Sequence, residues 1–453
     1  FWGSHTHGLP TFPATVVSTT RGEGRMRFEL GANDELRVEV DPKKAVLIKL
    51  LRGRAEIFGT EIVAGRTYSF SANMLPSLAV FTFHGCGVEV DGFPKGDPYV
   101  SKGGAATTMT SYINLHAALD TRRQIATATG KAGPRVVVTG QASVGKSTVA
   151  RLLVNYAARL RRKPMLVDLD AADGVAGIPG TLSMAVYERM MDLDDGPNGT
   201  APLCYHYGHL KREENKRLFG LLLKSMARAL NKRCDEDSGV RAGGCVIDTS
   251  FLDKAGILEV REAFAADVIA VIDHEKLYNE LASAVPKGVT VVKLDKSGGV
   301  FPRDADARRR ERIEQVKRYF YGPRVGGVPA LHCYTYQMLF KDVKLYKIGA
   351  PPTPIHCLPI GADPVANETQ LVAMKLQPDL LHTCFAVTTA PPDWKEQEIE
   401  LLALPVAGFV SIQEIDMEEY TITLLSTVQY QHMLPTKPCT MLLSGQAYSD
   451  AAE

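Results

Sequence analysis

The fold is decided by one stretch of sequence, Arg135-Val136-Val137-Val138-Thr139-Gly140-Gln141-Ala142-Ser143-Val144-Gly145-Lys146-Ser147. It begins as an apolar run typical of a strand that is covered on both faces. It ends in the pattern G-x-x-x-x-G-K-[ST], and the residues from Thr148 to Arg162 then follow the period of an amphipathic helix. A glycine-rich loop between a buried strand and a helix predicts a P-loop.

The predicted loop is suited to a nucleoside triphosphate with its magnesium ion. Its backbone N–H groups point at the phosphates, and the start of the helix adds the positive end of its dipole. Lys146 supplies a point charge, and Ser147 offers its hydroxyl to Mg²⁺. The predicted binding residues of the loop are Gly140, Ser143, Val144, Gly145, Lys146 and Ser147.

Apolar strands and helices continue to alternate outward from the loop. Nearly unbroken hydrophobic runs occur at Met165 to Leu169, Cys245 to Asp248 and Val268 to Asp273. An amphipathic helix is predicted from Asn215 to Lys232, between two of these runs. This alternation predicts a doubly wound parallel sheet.

Two further regions flank this centre. Residues 26–105 contain seven short alternating or β-branched runs without a long helical stretch, which predicts a β-sandwich. We therefore predict an α/β protein with three domains. They are an N-terminal β-sandwich at 26–105, a central P-loop kinase-like parallel sheet at 106–325 with a linker helix from Ile113 to Thr127, and a small mixed α/β C-terminal domain at 326–453.

Length and composition agree with a folded, multidomain protein. The chain has 453 residues, 45% of them hydrophobic, with a formal net charge of +1. Such a balance excludes a largely disordered chain and whole-molecule attraction to polyanions. Eight cysteines without a C-x-x-C pair favour reduced thiols. No run of 18 or more apolar residues occurs, and the first residues lack a signal-peptide pattern, so we predict a soluble protein without a membrane partner.

The class of nucleotide protein is narrowed by what accompanies the P-loop. A GTPase would need Asn-Lys-x-Asp, whereas the Asn-Lys pair at Asn231 is followed by Arg233 and Cys234. The guanine hypothesis is therefore weak. A motor ATPase and a phosphotransferase both stay open.

Acidic residues follow two of the predicted strands. Asp170 leaves the end of the strand after the P-loop helix, where a carboxylate can accept a proton from an attacking hydroxyl or hold Mg²⁺ through water. Asp248 ends another strand and is the rival candidate for the metal-binding acid. A solvated loop position is the alternative interpretation of Asp170.

An arginine-rich stretch begins at Arg303. Its cations are Arg303, Arg308, Arg309, Arg310, Arg312, Lys317 and Arg318. Guanidinium groups can neutralise a transferring phosphoryl group or grip a nucleic-acid backbone. A solvated, salt-bridged helix face is an equally good interpretation of the stretch on composition alone.

Together these residues resemble the eukaryotic polynucleotide 5′-hydroxyl kinase family, whose members are subunits of the pre-mRNA cleavage and polyadenylation machinery. The resemblance runs from Phe28 to about Thr440. Its pieces include Ala55-Glu56-Ile57-Phe58-Gly59-Thr60-Glu61, Ile178-Pro179-Gly180-Thr181, Leu277-Tyr278-Asn279-Glu280-Leu281, Lys296-Ser297-Gly298-Gly299-Val300, Tyr319-Phe320-Tyr321-Gly322 and Val406-Ala407-Gly408-Phe409.

The resemblance implies roles for particular residues. Lys146, Ser147 and Thr148 would hold ATP and Mg²⁺, and Asp170 would activate the RNA 5′-hydroxyl. Arg303 and Arg308 match the two lid arginines that close over the phosphates. Glu35 matches a residue near the adenine, which would place the nucleotide between the first two domains.

The chain departs from active members at several positions that the resemblance also identifies. Asp173 stands where they carry Gln, and an extra carboxylate near phosphate would cost on the order of 3 kcal/mol unless it is protonated or metal-bound. Thr249-Ser250-Phe251-Leu252 replaces a motif whose tryptophan stacks on the terminal base. Gln141-Ala142-Ser143 and Ser77 also differ from the family pattern.

Two hypotheses follow from this combination. The chain is an ATP-binding subunit of the 3′-end processing machinery with weak or absent kinase activity, or it is an active ATP-dependent RNA 5′-hydroxyl kinase in mRNA 3′-end processing and tRNA splicing. The first is favoured because the residues that grip ATP persist, while the residues that grip RNA are altered. The resemblance implies a scaffold subunit of that machinery, the tRNA-splicing endonuclease and an RNA 5′ end as partners, and a nuclear location.

Overall fold

The structure is a computed structural model of the 453-residue chain. It describes residues 25–41, 44–72, 75–103, 107–174, 176–193, 202–250, 252–322, 324–325, 328–349, 366–390, 398–428 and 439–443. The chain forms two compact units. One comprises the residues up to Thr110 together with Gly298–Phe301, and the other comprises Ser111–Ser297 and the residues from Pro302 onward.

The described strands of the first unit are β1 Met26–Leu30, β2 Glu35–Glu39, β3 Val46–Gly53, β4 Glu56–Ile57, β5 Thr60–Glu61, β6 Thr67–Phe70, β7 Ser77–Phe81, β8 Cys86–Gly92 and β9 Tyr99–Ser101. They form two sheets, in the orders β1-β8-β3-β6 and β5-β4-β7-β2-β9. Alternate residues of β3 are buried, as a strand with one face on a core requires. The predicted N-terminal β-sandwich is confirmed.

The helices are α1 Thr108–Thr129, α2 Lys146–Arg159, α3 Lys216–Glu236, α4 Ser238–Gly243, α5 Lys254–Phe264, α6 Glu275–Ala284, α7 Ala305–Tyr321 and α8 Glu398–Leu402. The remaining strands are β10 Arg135–Gly140, β11 Met165–Asp168, β12 Thr181–Val186, β13 Leu203–His206, β14 Cys245–Asp248, β15 Val268–Ile272, β16 Thr290–Leu294, β17 Arg324–Val325, β18 Val328–Pro329, β19 Tyr334–Leu339, β20 Val343–Ile348, β21 Leu371–Met374, β22 Cys384–Thr388, β23 Val406–Asp416, β24 Thr421–Ser426 and β25 Cys439–Leu443.

The centre of the second unit is a parallel sheet in the order β16-β15-β10-β14-β11. Every residue of β15 is buried, because helices cover both faces of a sheet built from strand–helix–strand units. The P-loop strand β10 lies between β15 and β14. This arrangement confirms the predicted P-loop kinase-like centre and brings the carboxyl ends of β10, β11 and β14 to one edge.

The sheet continues beyond β11 with antiparallel strands. β12 pairs with β11, β13 with β12, and β13 reaches β23 through Cys204 and Val406. The C-terminal strands therefore share hydrogen bonds with the central sheet, so the described C-terminal region extends that sheet. The boundaries predicted at 105/106 and 325/326 stay predictions.

None of the helices in the described ranges combines the length and the apolar character that a membrane crossing requires. The predicted linker helix from Ile113 to Thr127 lies within α1, and the predicted helix from Thr148 to Arg162 overlaps α2. The helix α2 begins two residues earlier, at the P-loop lysine itself.

Candidate nucleotide-binding and phosphoryl-transfer site

Three residues with positive φ shape the loop between β10 and α2. The φ angles of Gly140, Ser143 and Gly145 are 151°, 56° and 91°. A Cβ atom on Gly140 would lie 2.6 Å from the backbone oxygen of Ile272, so only glycine fits there. Left-handed residues among right-handed ones turn successive N–H groups to one side and form an anion-binding concavity. The predicted P-loop therefore has the backbone geometry that phosphate binding needs.

Lys146 is the first residue of α2 and is 7% exposed. Its Nζ donates a hydrogen bond of 2.8 Å to the backbone oxygen of Gln141, at the start of the loop. Burial lowers the pKa of Lys146, while the carboxylates of Asp248 and Asp170 oppose that shift. A buried ammonium held across the loop by one carbonyl keeps donors available to phosphate oxygens.

Two carboxyl groups lie at the ends of neighbouring strands beside the loop. Asp168 and Asp248 occupy paired positions of β11 and β14, and both are buried. Burial raises the pKa of Asp248 well above its usual value, and the charge of Asp168 raises it further. The Ser147 side chain opposes this rise in the pKa of Asp248, so its hydroxyl lies beside the carboxyl group. The buried Oδ1 of Asp248 has no hydrogen-bond partner within the described structure.

These residues fit a magnesium ion that arrives with the triphosphate. Mg²⁺ prefers oxygen ligands and keeps several waters, so a hydroxyl and a nearby carboxylate are suitable partners. The orphaned oxygen of Asp248 is a polar atom that such a hydrated ion would satisfy. Ser147 and Asp248 would hold the ion, whose chemistry is to neutralise charge on the phosphates.

Asp170 follows β11 in a tight turn. Its Oδ1 accepts hydrogen bonds from the backbone N–H groups of Ala172 and Asp173, at 3.2 and 3.3 Å. Burial raises the pKa of Asp170, and the negative charge of Asp173 adds to the rise. A carboxylate with a raised pKa is a better proton acceptor than an ordinary aspartate, so the position suits the base that the sequence predicts there.

Asp173 takes part in an ion-pair group with Arg303 and Glu311. One terminal nitrogen of Arg303 lies 3.0 Å from Asp173 Oδ2, and the other lies 2.7 Å from Glu311 Oε2. The sequence-based expectation was that Asp173 would be a destabilising charge unless protonated or metal-bound. The structure shows a third arrangement, in which Asp173 is ion-paired with a guanidinium that it shares with Glu311.

Arg308 contacts the P-loop directly. Its terminal nitrogen donates a 3.0 Å hydrogen bond to Ser143 Oγ. Its Nε is buried without a hydrogen-bond partner in the described structure. Arg303 and Arg308 both act on Lys146, since the charge of each lowers the lysine pKa. The structure therefore brings the two predicted lid arginines, the P-loop and Asp170 together at one edge of the sheet.

The segment after β14 has a different character. Thr249 is buried and donates to the backbone oxygen of Val138, and Leu252 is 1% exposed within the hydrophobic core. Asp253 caps α5 by accepting from the N–H of Gly256. Phe251 lies outside the described residues. Leu252 therefore presents no face on which a base could stack.

Glu35 belongs to the first compact unit, whereas the P-loop belongs to the second. Glu35 Oε1 accepts a 2.8 Å hydrogen bond from Arg37, whose guanidinium lies 5.9 Å from the centre of the Tyr99 ring. Ser77 Oγ donates to the backbone oxygen of Gly299 at 3.5 Å. The role of Glu35 at the adenine stays a prediction.

Sequence reasoning missed Glu311 and Gln315. Gln315 Nε2 donates to the backbone oxygen of Gly174 at 2.7 Å and so ties α7 to the turn that carries Asp170 and Asp173. Both residues are ordinary polar positions in a charged helix. No sequence signal marks them. Gln315 bonds Gly174, more than a hundred residues earlier in the chain, and Glu311 pairs with Arg303, which precedes the helix.

Three family models match the chain in turn. They are described as the N-terminal beta-sandwich domain of polyadenylation factor at residues 29–126, the mRNA cleavage and polyadenylation factor CLP1 P-loop at 140–322, and the pre-mRNA cleavage complex II protein Clp1 at 331–450. The human polyribonucleotide 5′-hydroxyl-kinase Clp1 is 40% identical over 404 residues, which are 88% of this chain and 92% of that protein. This chain belongs to the Clp1 family.

Other relatives extend the match. The Xenopus laevis polyribonucleotide 5′-hydroxyl-kinase Clp1 is 37% identical over 445 residues, 97% of each chain. Among solved structures, the Clp1p chain of a wild-type Clp1p-Pcf11p complex matches with a TM-score of 0.77 at 21% identity, covering 94% of this chain and 99% of that one. A second Clp1p structure, described with the structural basis for ATP loss in a point mutant, matches equally well at 20% identity. These structural matches show a shared Clp1 fold.

The Clp1-type centre of this chain can support two kinds of chemistry. The first is binding alone, which neither consumes the nucleotide nor needs a second substrate. The residues suited to hold Mg·ATP are those of the P-loop, with Ser147 and Asp248. Phosphoryl transfer would in addition require Asp170 to accept the proton of a hydroxyl, and free cations to neutralise the transferring group. The described residues provide phosphate contacts for the first task, whereas Arg303, a cation for the second, is already paired with Asp173 and Glu311.

Proposed function

We propose that this chain is an ATP-binding subunit of the pre-mRNA 3′-end cleavage and polyadenylation machinery with weak or absent kinase activity. The observation that carries the proposal is the contrast at one sheet edge. The P-loop geometry and Lys146 suit a triphosphate, while Leu252 is packed into the core where a base-stacking side chain would be needed.

The second compact unit gives this proposal a physical basis. Mg·ATP would satisfy the buried, unpaired Oδ1 of Asp248 and the donors of the P-loop. A nucleotide that binds only the folded chain stabilises it by mass action, about 2.7 kcal/mol at a hundredfold excess over its dissociation constant. ATP would then serve as a structural component, and hydrolysis would work against that role.

The alternative is an active RNA 5′-hydroxyl kinase, as the names of the human and Xenopus relatives state for those proteins. The raised pKa of Asp170 favours it, because a stronger base helps to deprotonate the attacking hydroxyl. Both hypotheses require ATP, so nucleotide binding alone does not separate them.

Transfer of the γ-phosphate to RNA is the experiment that separates them. Purified chain, radiolabelled ATP and a 5′-hydroxyl oligonucleotide should give at most slow labelling. The nucleotide that copurifies should be intact ATP. Robust labelling that disappears in Asp170→Asn would defeat the proposal and establish the kinase, with human Clp1 as the positive control.

The solved neighbours are complexes of Clp1p with Pcf11p, and the family resemblance implies a scaffold subunit of the cleavage machinery as the partner. We propose that this chain binds such a subunit, which pull-down with the tagged chain would test. Association with the tRNA-splicing endonuclease belongs to the kinase hypothesis and should be absent from the same pull-down. Nuclear location stays a prediction, which imaging of a fluorescent fusion would check.

A further inference from the structure

We infer that Asp173 is a positioning residue that competes with the triphosphate for the guanidinium of Arg303, and so limits how strongly Arg303 can act on the phosphates. The inference rests on the proposed ATP binding and concerns its strength. The ion pair between Asp173 and Arg303 joins the turn after β11 to the residues just before α7.

The geometry places Arg303 in the field of the nucleotide site. Burial lowers the pKa of Arg303, but the charges of Asp173, Glu311 and Asp170 together raise it above its usual value. The positive charge of Arg303 in turn lowers the pKa of Lys146, which burial also lowers.

Arg303 is also ion-paired with Asp173, whose backbone N–H donates to Asp170 Oδ1. Arg308 of the same stretch reaches Ser143 of the P-loop. Arg303 therefore lies beside the predicted phosphate site.

Two carboxylates already surround this arginine. Its two terminal nitrogens lie 3.0 Å from Asp173 and 2.7 Å from Glu311, and these carboxylates are 18% and 19% exposed. One cation between two anions leaves a net charge of −1 in the group. A phosphate that approaches Arg303 must therefore displace or tolerate a charge-assisted hydrogen bond of the kind that is strongest in proteins.

Arg308, the second predicted lid arginine, is bound differently from Arg303. Its terminal nitrogen donates a hydrogen bond to the neutral hydroxyl of Ser143, and its buried Nε has no hydrogen-bond partner in the described structure. Arg308 needs no ion pair to be broken before it reaches a phosphate. The two arginines therefore differ in availability, although both precede or begin α7.

The hold on Arg303 is reinforced by the helix that follows it. Gln315 of α7 donates to the backbone oxygen of Gly174, next to Asp173. Asp304 caps α7 by accepting from the N–H of Ala307 at 2.6 Å. The first bond ties the turn that carries Asp173 to α7, and the second fixes the start of α7 next to Arg303. Both ends of the Asp173–Arg303 pair are therefore held by the backbone around them.

The test is a double-mutant cycle on Mg·ATP affinity, measured by calorimetry on the full chain. Asp173→Asn keeps the size of the side chain and removes its charge. We expect it to tighten Mg·ATP binding about tenfold, the effect of one charge-assisted hydrogen bond regained by the phosphates. In the Arg303→Gln background, Asp173→Asn should give a clearly smaller gain than it gives with Arg303 present, because only the direct repulsion between Asp173 and the phosphates is then relieved. Glu311→Gln should tighten binding in the same direction.

Two outcomes of these affinity measurements would overturn the inference that Asp173 competes with the triphosphate for Arg303. An unchanged or weaker affinity in a folded Asp173→Asn protein overturns the inference, and so does a tenfold gain that persists without Arg303, since simple charge removal would then explain it. If Asp173→Asn does not fold, Glu311→Gln provides the same test. Failure of the wild-type chain to bind ATP would instead overturn the proposed function.

A matched control removes a carboxylate from another partly buried arginine. Asp120 lies 2.9 Å from Arg162, which follows the far end of α2, roughly 20 Å along the helix from the P-loop. Asp120→Asn should leave the Mg·ATP affinity within twofold of wild type. A tightening like that of Asp173→Asn would show that the effect is not local to Arg303.

Discussion

The ends of β10 and β14 are neighbours in one parallel sheet, yet they lead into opposite kinds of structure. After β10 the chain turns its backbone N–H groups outward in left-handed residues and places Lys146 across the loop. After β14 it turns Leu252 into the core and uses Asp253 to start α5. One strand end is thus built to receive an anion, and the adjacent one is built to complete a core.

The difference teaches that two halves of a transfer site can change independently. Phosphate binding depends on backbone conformation and on one lysine, which a few local residues determine. Acceptor binding depends on exposed side chains, and a single substitution can remove one of them from the surface. The proposed function is a case of this kind, in which the chain would keep ATP binding and lose binding of the second substrate.

The largest effect is expected at the P-loop lysine. Lys146→Ala should weaken Mg·ATP binding at least a hundredfold, about 2.7 kcal/mol, because phosphate charge loses its buried partner. Calorimetry would measure this. Lys163→Ala is the control, since Lys163 pairs with Glu188 and Asp237 and should leave the affinity unchanged. Equal losses in both variants would contradict the nucleotide site.

A substitution at Leu252 tests whether the segment after β14 completes the core. Leu252→Ala should lower the free energy of unfolding by about 2–5 kcal/mol, as truncation of a buried leucine does, and leave Mg·ATP affinity within twofold. Denaturant unfolding with saturating and absent ATP would measure both. The exposed Leu160 is the control, where alanine should cost less than about 0.5 kcal/mol. A binding defect without lost stability would indicate that Leu252 contacts a ligand.

Asp248 should show a conflict between stability and function. Its pKa is raised in the folded chain, so the ionised form destabilises the fold above the unfolded pKa near 3.9. Asp248→Asn should therefore stabilise the nucleotide-free protein at pH 7, on the order of 1 kcal/mol. The gain should vanish below about pH 4, where both states of wild type are protonated.

Unfolding titrations at several pH values would measure this difference. The same variant should bind ATP less tightly in magnesium, and the loss should be small when EDTA replaces the metal. A stability difference that does not change with pH would show that the pKa of Asp248 is the same in the folded and unfolded states.

The smallest effect is expected at the cap of α5. Asp253→Ala should lower stability by about 1 kcal/mol, because the N–H of Gly256 loses its acceptor, and should not alter ATP affinity. Thermal unfolding would measure it. Asp235→Ala, an exposed position of α3, removes the same charge and should change stability by less than about 0.5 kcal/mol. If ATP affinity fell in Asp253→Ala, the segment after β14 would belong to the nucleotide site.

Local sequence patterns were sufficient for the parts of the molecule whose causes are local. The apolar run before Gly140 and the helix pattern after Ser147 predicted the P-loop, and hydrophobic runs predicted the parallel strands. The predicted helix from Thr148 starts late, because Lys146 and Ser147 carry helical backbone without an apolar pattern. The sandwich was predicted from alternation alone, although its order of strands was not.

Contacts between residues far apart in the chain could not be predicted from the sequence. Asp173 looked like an unpaired charge, since Arg303 lies 130 positions later and Glu311 is one of several acids in α7. The continuation of the central sheet into the C-terminal strands rests on the contact between β13 and β23, which no local pattern encodes.

By itself, the sequence determined that the chain has a phosphate-binding loop on a buried strand, because loop glycines, a lysine and apolar periodicity act over a few residues. Only the tertiary structure decided which charges meet, that Asp173 and Glu311 share Arg303, that Asp248 keeps an orphaned oxygen, and that Leu252 faces the core. The physical reason is that electrostatic energy and burial depend on distances between residues far apart in the chain, and those distances exist only after the sheet has formed.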